Sequence, residues 1–406
     1  MHPSFLRTVV VLVGIGLTFQ RCIKPDDDTT PVQQTIQVGA LLSLTGNWSS
    51  LGINSKAALD VATADINQYF EATGSRYRFA TTVYDTKLDT TLAKRFIAEA
   101  KASGISFLIG PQSSAEAAAV KPFADANKVL VVSQGSTAGS LSIANDNLFR
   151  FCPSDLIEGK AMANTMYKAG IRGLVTLSRD DAGNKGLQLS TGTAFTSLGG
   201  VVAALTPYAT TTTNFSAVVS ELKSKIQSFT ATYGATRTAV YLASFDEAVS
   251  VFKQAAADPV LSSVNWYGGD GVALSAALVS DAGAAGFAAK TRFFSPTFGL
   301  PAQAESKWQP LAKTIKDRTT LTPDAFALAA YDALWVIALT HQAATEMDAD
   351  FDKLKTLFPQ QASRYYGVTG PTLLNGFGDR AVGSFDYWGI VLENGTYGWK
   401  LTGKSE

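Results

Sequence analysis

From Ile36 the chain alternates between short apolar runs and longer segments whose apolar residues recur at helical spacing. The runs at 36–44 (IQVGALLSL), 78–84, 105–110 (ISFLIG), 128–133 (KVLVVS), 173–178 (GLVTLS), 200–208, 238–243 (TAVYLA) and 264–269 read as strands. Several are apolar throughout, which suits parallel strands covered on both faces. Between them, residues 55–70 place Leu59, Ala62, Ile66 and Tyr69 on one helical face. Segments 92–103, 113–126, 159–170, 214–226 and 246–257 predict further helices. Strand–helix alternation of this kind predicts a doubly wound α/β fold. The length suits two such stacks better than one.

The first stack covers about 36–152, and Pro153 interrupts before the second. SPTFGLPAQ (295–303) reads as a joint, followed by a long helical pattern over 324–347. The tail, 384–401, reads as a hairpin with Asn394-Gly395 at its turn. The amino end differs. Thr8–Phe19 is an apolar run of 12 residues, too short to span a bilayer comfortably, and it is followed by Cys22 and an acidic, Pro/Thr-rich stretch. This segment is similar to a bacterial lipoprotein signal over 1–22, with Cys22 as the lipidated residue and 23–35 as a tether. Phe19, Gln20 and Arg21 depart from the small residues usual before that cysteine. A cleaved secretory peptide or a residual anchor would fit the same run. In each case the chain is expected to be exported, to the periplasm or cell envelope.

Lys+Arg and Asp+Glu both number 34 in 406 residues, so the formal charge is zero. That balance speaks against nucleic acid and against a polybasic membrane surface. Cys152 has no partner in the mature domain except Cys22, so no intrachain disulfide is expected. The two histidines are His2 and His341, and no Ser-His-Asp set, nucleophile elbow or Cys/His metal spacing occurs. No enzyme, metal site or cofactor is expected. Residues 398–405 spell a phosphate-loop pattern, but the chain lacks room for the helix that must follow it.

The chemistry collects at strand ends, where α/β proteins bind ligands. After the first run comes a polar, glycine-flanked loop that contains Trp48 and Leu51. After ISFLIG, Ser113 and Glu116 form a capping box, and the hydroxyl of Ser114 stands at a helix N-terminus suited to a carboxylate. After KVLVVS, Gly135 permits close backbone approach and Thr137 offers a hydroxyl. After VNWYGG stands Asp270, a carboxylate able to pair with an ammonium.

These stretches, together with VYLASFDEAVSVFKQA and AFALAAYDAL, resemble the leucine/isoleucine/valine-binding protein family over about Ile36–Trp399. These are type I periplasmic solute-binding proteins that feed ABC importers. The resemblance implies two doubly wound lobes joined by a three-crossover hinge, 36–155 plus 297–385 and 156–296 plus 386–406. It also implies a monomer that clamps an amino acid or related small polar ligand and delivers it to an ABC permease. Position by position, Ser114, Thr137 and the backbone of Gly135 would hold the ligand carboxylate, and Asp270 the ammonium. Phe326 would be an apolar contact of the first lobe, and Phe245 or Ser244 the second lobe's contribution. Leu51 and Gly183 stand where the family often has aromatics, so branched-chain specificity does not transfer. The same fold would also serve a ligand sensor for a membrane receptor, or a lipoprotein regulating a cell-wall synthase.

Overall fold

The computed structural model describes residues 34–344 and 350–405. The signal segment, Cys22 and nearly all of the tether lie outside them, as do residues 345–347 of the long helical pattern. The first lobe is built on a five-stranded parallel sheet. Its elements are β1 (Gln34–Leu42), α1 (Ser49–Ala72), β2 (Tyr77–Asp85), α2 (Thr90–Ala102), β3 (Phe107–Ile109), α3 (Ser114–Ala126), β4 (Leu130–Ser133) and β5 (Leu148–Arg150). The strand order is β2-β1-β3-β4-β5.

The chain then crosses to the second lobe. There α4 (Asp155–Lys168), β6 (Gly173–Ser178), α5 (Ala182–Ser197), β7 (Val201–Ala204), α6 (Ser216–Tyr233), β8 (Thr238–Ala243) and α7 (Ala248–Ala256) follow in turn. They continue through β9 (Asn265–Gly268), α8 (Ala276–Ser280), α9 (Ala282–Lys290) and β10 (Phe294–Phe298). A second crossing returns the chain to the first lobe with α10 (Glu305–Thr319), α11 (Ala325–Ala343), α12 (Phe351–Arg364) and the two-residue strands β11 (Tyr366–Gly367) and β12 (Gly370–Pro371). A third brings β13 (Phe385–Glu393) and β14 (Thr396–Lys404) to the edge of the second sheet, whose order is β14-β13-β10-β9-β8-β6-β7. The last two strands run antiparallel and the rest parallel.

Both parallel cores repeat one order, so each has a switch point where successive crossovers part, between β1 and β3 and between β6 and β8. Crevices at such points are where open sheets bind ligands. The long helix α11 is apolar on nearly all sides because it is buried between α1, α12 and the sheet.

Differences from the sequence expectations have local causes. The helix read over 55–70 starts at Ser49, so Leu51 lies in its first turn and Trp48 stands before it in a left-handed conformation. Gly52 permits that early start, since a Cβ there would lie 1.9 Å from the Ser43 carbonyl oxygen. Part of the expected joint at 295–303 is strand: Pro296 lies inside β10, opposite Tyr387 of β13. β1 begins at Gln34, inside the expected tether. Residues 396–404 form β14, so the phosphate-loop pattern lies in a strand. His341 is buried among Tyr77, Phe79 and Phe107, and burial lowers its pKa to about 4. Cys152 is free and buried, and burial pushes its thiol pKa up.

Two buried ion networks brace the crossings. Arg150, at the end of β5, meets both carboxylate oxygens of Asp379 and donates to the carbonyl of Ala138 and the hydroxyl of Ser142. Arg380 donates to the carbonyls of Phe151 and Thr369, while Asp332 of α11 accepts from the amides of Val368 and Thr369.

Candidate functional site

The loops at the two switch points face each other. On the first lobe, the Gln112 side chain joins the loops after β1 and β3. Its Oε1 accepts from the Ser43 amide at 3.0 Å, and its Nε2 donates to the Trp48 carbonyl at 2.9 Å. Ser113 caps α3, accepting from the Glu116 amide and donating to the Glu116 carboxylate. The capping box therefore forms, and it engages the Ser113 hydroxyl. The Ser114 Oγ accepts from the amides of Thr137 and Ala138 at 3.2 and 3.1 Å, which ties the loop after β4 to the start of α3.

The second lobe presents the starts of α4 and α5 and the ends of β8 and β9. Asp181 caps α5 by accepting from the Asn184 amide at 2.9 Å. Six of the nine ligand positions expected from the sequence come together around one void: Ser114, Gly135, Thr137, Gly183, Phe245 and Asp270. Trp48, Asn184 and Leu187 complete the lining. The void is about 10 Å³, room for about one water. The other three expected positions are elsewhere. Leu51 packs beside Gly135, where a Cβ would lie 3.4 Å from its Cδ2. Phe326 is buried against Phe298 with ring centroids 5.2 Å apart. Ser244 is buried with its hydroxyl unpartnered and does not line the void.

Trp48, three residues before Leu51, is the aromatic that the opening loop brings to the void. It stacks on Phe245 of the opposite lobe, with centroids 4.7 Å apart. Gly183 has its own reason. A Cβ there would lie 3.2 Å from Ser114 Oγ, so the small residue lets α5 approach α3 across the cleft. Hydrogen bonds cross the cleft beside this contact. Asn47 Nδ2 donates to Glu247 at 2.7 Å, the Trp48 amide to Asp246 at 2.7 Å, the Asp246 amide to Asn47 Oδ1 at 2.8 Å, and the Ala276 amide to Ser50 Oγ at 3.1 Å. The lobes are closed on one another through these contacts.

The electrostatics of the site are acidic. Asp270 is buried, and burial followed by the charge of Asp155 raises its pKa well above the carboxylate range. Glu158 of α4 accepts from the Asp270 amide at 3.2 Å, and burial and the charges of Asp270 and Asp155 raise it in the same direction. Burial raises Asp155 to about 7, against the opposing pull of Thr137 and Arg150. Asp324, the cap of α11, is raised to about 6 by burial. Among the described residues no group of His, Cys, Asp and Glu could hold a metal ion, and no helix is long and apolar enough to cross a membrane.

Solved structures with this architecture include substrate-binding proteins. A leucine-binding protein, LivK, from Thermotoga maritima superposes with a TM-score of 0.71 over 91% of this chain and 98% of its own, at 20% identity. LivJ from Streptococcus pneumoniae, a branched-chain amino acid substrate-binding protein in complex with isoleucine, gives 0.70 over 91% and 99%, at 19% identity. A solute-binding protein of an ABC transporter from R. palustris, in complex with benzoate, gives 0.70 over 91% and 96%, at 19% identity. An uncharacterized protein of Methanocaldococcus jannaschii is 27% identical over 97% of this chain and 95% of its own. The model of the receptor family ligand binding region matches residues 54–393. The chain thus has the fold of type I periplasmic binding proteins, and it belongs to the receptor ligand-binding region family.

Proposed function

We propose that this protein is an extracytoplasmic solute-binding protein, not an enzyme. It clamps an amino acid or a related small polar solute between its lobes and delivers it to an ABC importer. The observation that carries this reading is the meeting of the two switch points. The start of α3, with Ser114, Gly135 and Thr137, faces Asp270 of the opposite lobe across a single void. A helix N-terminus with hydroxyl and amide donors suits a carboxylate, and a buried acid suits an ammonium. The related proteins named above, which bind leucine, isoleucine or benzoate, are carried on the same architecture.

The lobes divide as 36–155 plus 297–385 and 156–296 plus 386–406, and the protein acts as a monomer held in the cell envelope by lipid on Cys22. A solute that touches both lobes favours the closed form by its differential affinity for that form. Thermal-shift screening against the amino acids and simple amides tests the reading, because a solute bound only by the native state raises the melting temperature. A screen in which no amino acid or amide shifts the transition removes it. Replacing Cys22 with serine is expected to move the protein from the membrane fraction to the soluble one with its solute binding unchanged.

A further inference from the structure

Three buried carboxylates adjoin one another on the second lobe and at the first crossing that leads into it. Asp270 follows β9, and Asp155 and Glu158 lie one turn apart on α4. Glu158 reaches the Asp270 amide with one oxygen. The other Glu158 oxygen and one oxygen of Asp270 have no hydrogen-bond partner, and Asp155 is approached by neutral donors, the Thr137 hydroxyl and the Gly139 amide. Among the described residues no lysine or arginine forms an ion pair with any of the three. Arg150, whose charge reaches Asp155, is held by both oxygens of Asp379. The Tyr241 hydroxyl, fully buried on β8, feels the charges of Glu158 and Asp270 and interacts with the buried Thr191 hydroxyl on α5.

The acids are also laid out in sequence. Asp270 lines the void between the lobes. Asp155 lines a groove of about 910 Å³ bounded by α4 and α5, and Glu158 meets the Asp270 amide and feels the charges of both Asp270 and Asp155. Buried charges are stable when paired. A solute with one ammonium would answer Asp270 and leave Glu158 and Asp155 without a cation.

We propose that the site selects a solute with two cationic nitrogens, an α-amino acid with a cationic side chain, whose α-ammonium meets Asp270 and whose second nitrogen meets Glu158 and Asp155. This rests on the amino-acid clamp reading and goes beyond it by naming the solute class and two specificity residues. The carboxylate end remains with Ser114, Gly135 and Thr137. Glu158 and Asp155 replace the apolar pocket that a branched side chain would need.

Titration calorimetry of the whole protein with L-lysine, L-ornithine and L-leucine tests this, on the wild type and on Glu158→Gln and Asp155→Asn. Lysine or ornithine is expected to bind at least about tenfold tighter than leucine, since each desolvated charge pair carries a large share of affinity. Glu158→Gln is expected to abolish that preference by weakening the dication while leaving leucine within about threefold, a rim-sized effect. Melting curves of the two variants report folding separately, and both are expected to melt no lower than the wild type. If leucine binds as tightly as both diamino acids, or if Glu158→Gln weakens all three equally, the inference fails and the clamp reading stands. The same holds if none of the three binds while another amino acid does. If no amino acid or amide binds, both fail together.

Discussion

Two buried charged regions of this molecule have been treated in opposite ways. At the hinge, Arg150 faces both oxygens of Asp379, a carbonyl and a hydroxyl, and Asp332 accepts from two amides and the Thr369 hydroxyl. In the cleft, Asp155, Glu158 and Asp270 form no ion pair with a lysine or arginine among the described residues, and one oxygen each of Glu158 and Asp270 accepts no hydrogen bond. Burial is equal in the two regions, so solvent exclusion does not separate them. The difference is who supplies the partner. At the hinge the chain supplies it, and the charges fasten the first and third crossings together. In the cleft the chain supplies acids and neutral donors, and on the proposed reading the cation comes from outside.

The sharpest way to break this comparison is at the hinge. Asp379→Ala strands the Arg150 guanidinium, and removing one member of a buried pair destabilises by about 3–5 kcal/mol. Denaturant unfolding is the measurement, and a loss under about 1 kcal/mol would mean that the network is ornamental. In the cleft the corresponding change should act on affinity. Asp270→Ala is expected to weaken the bound amino acid by about 2–5 kcal/mol while leaving the unfolding midpoint of the free protein unlowered. Calorimetry showing unchanged affinity would move the ammonium elsewhere.

Asp155→Asn should stabilise the free protein, by about 1–3 kcal/mol at neutral pH, with a characteristic pH dependence. The carboxyl is raised to about 7 in the fold. Below its unfolded pKa both states hold the proton, and between there and about 7 the native state holds more of it. Wild-type stability from this group therefore falls as pH rises through that window, and the advantage of the asparagine variant should grow across it and then level off. Arg150, Asp181 and Thr137 also bear on this carboxyl, and they are unchanged in the variant. A constant difference from pH 4 to 8 would show that Asp155 is ionised throughout. The smallest effect is expected at Ser114→Ala, about 1 kcal/mol in affinity, because the amides of Thr137 and Ala138 remain in place. A loss as large as that of Asp270→Ala would make the hydroxyl the main anchor.

Much of the fold was legible because burial on both faces writes continuous apolar runs. The expected strands at 173–178 and 238–243 match β6 and β8 residue for residue. The least legible element was α5, AGNKGLQLSTGTAFTS. Its glycines, serines and threonines are poor helix formers, and packing of Leu187, Gln188, Thr191 and Phe195 overrides them. That helix carries Gly183, which the sequence offered, and Asn184 and Leu187, which stayed hidden with it. Asp270 was readable as an acid after a strand. Glu158 was not, since an acid on a helix is ordinarily solvated, and only the approach of β9 makes it a buried neighbour of Asp270. Trp48 stood in the opening loop from the start, but its left-handed backbone and its stack on Phe245 need both lobes to be visible.

That stack gives the protein an optical readout of its own. Of the six tryptophans, Trp48 lines the cleft void and has its ring on the opposite lobe, whereas Trp266, Trp308, Trp335, Trp388 and Trp399 do not line it. Parting the lobes would bring an indole that is 4% exposed into water and lift it from a benzene ring. A variant retaining Trp48 as its sole indole would report closure as a change in emission colour, with no dye attached and no scattering beam required.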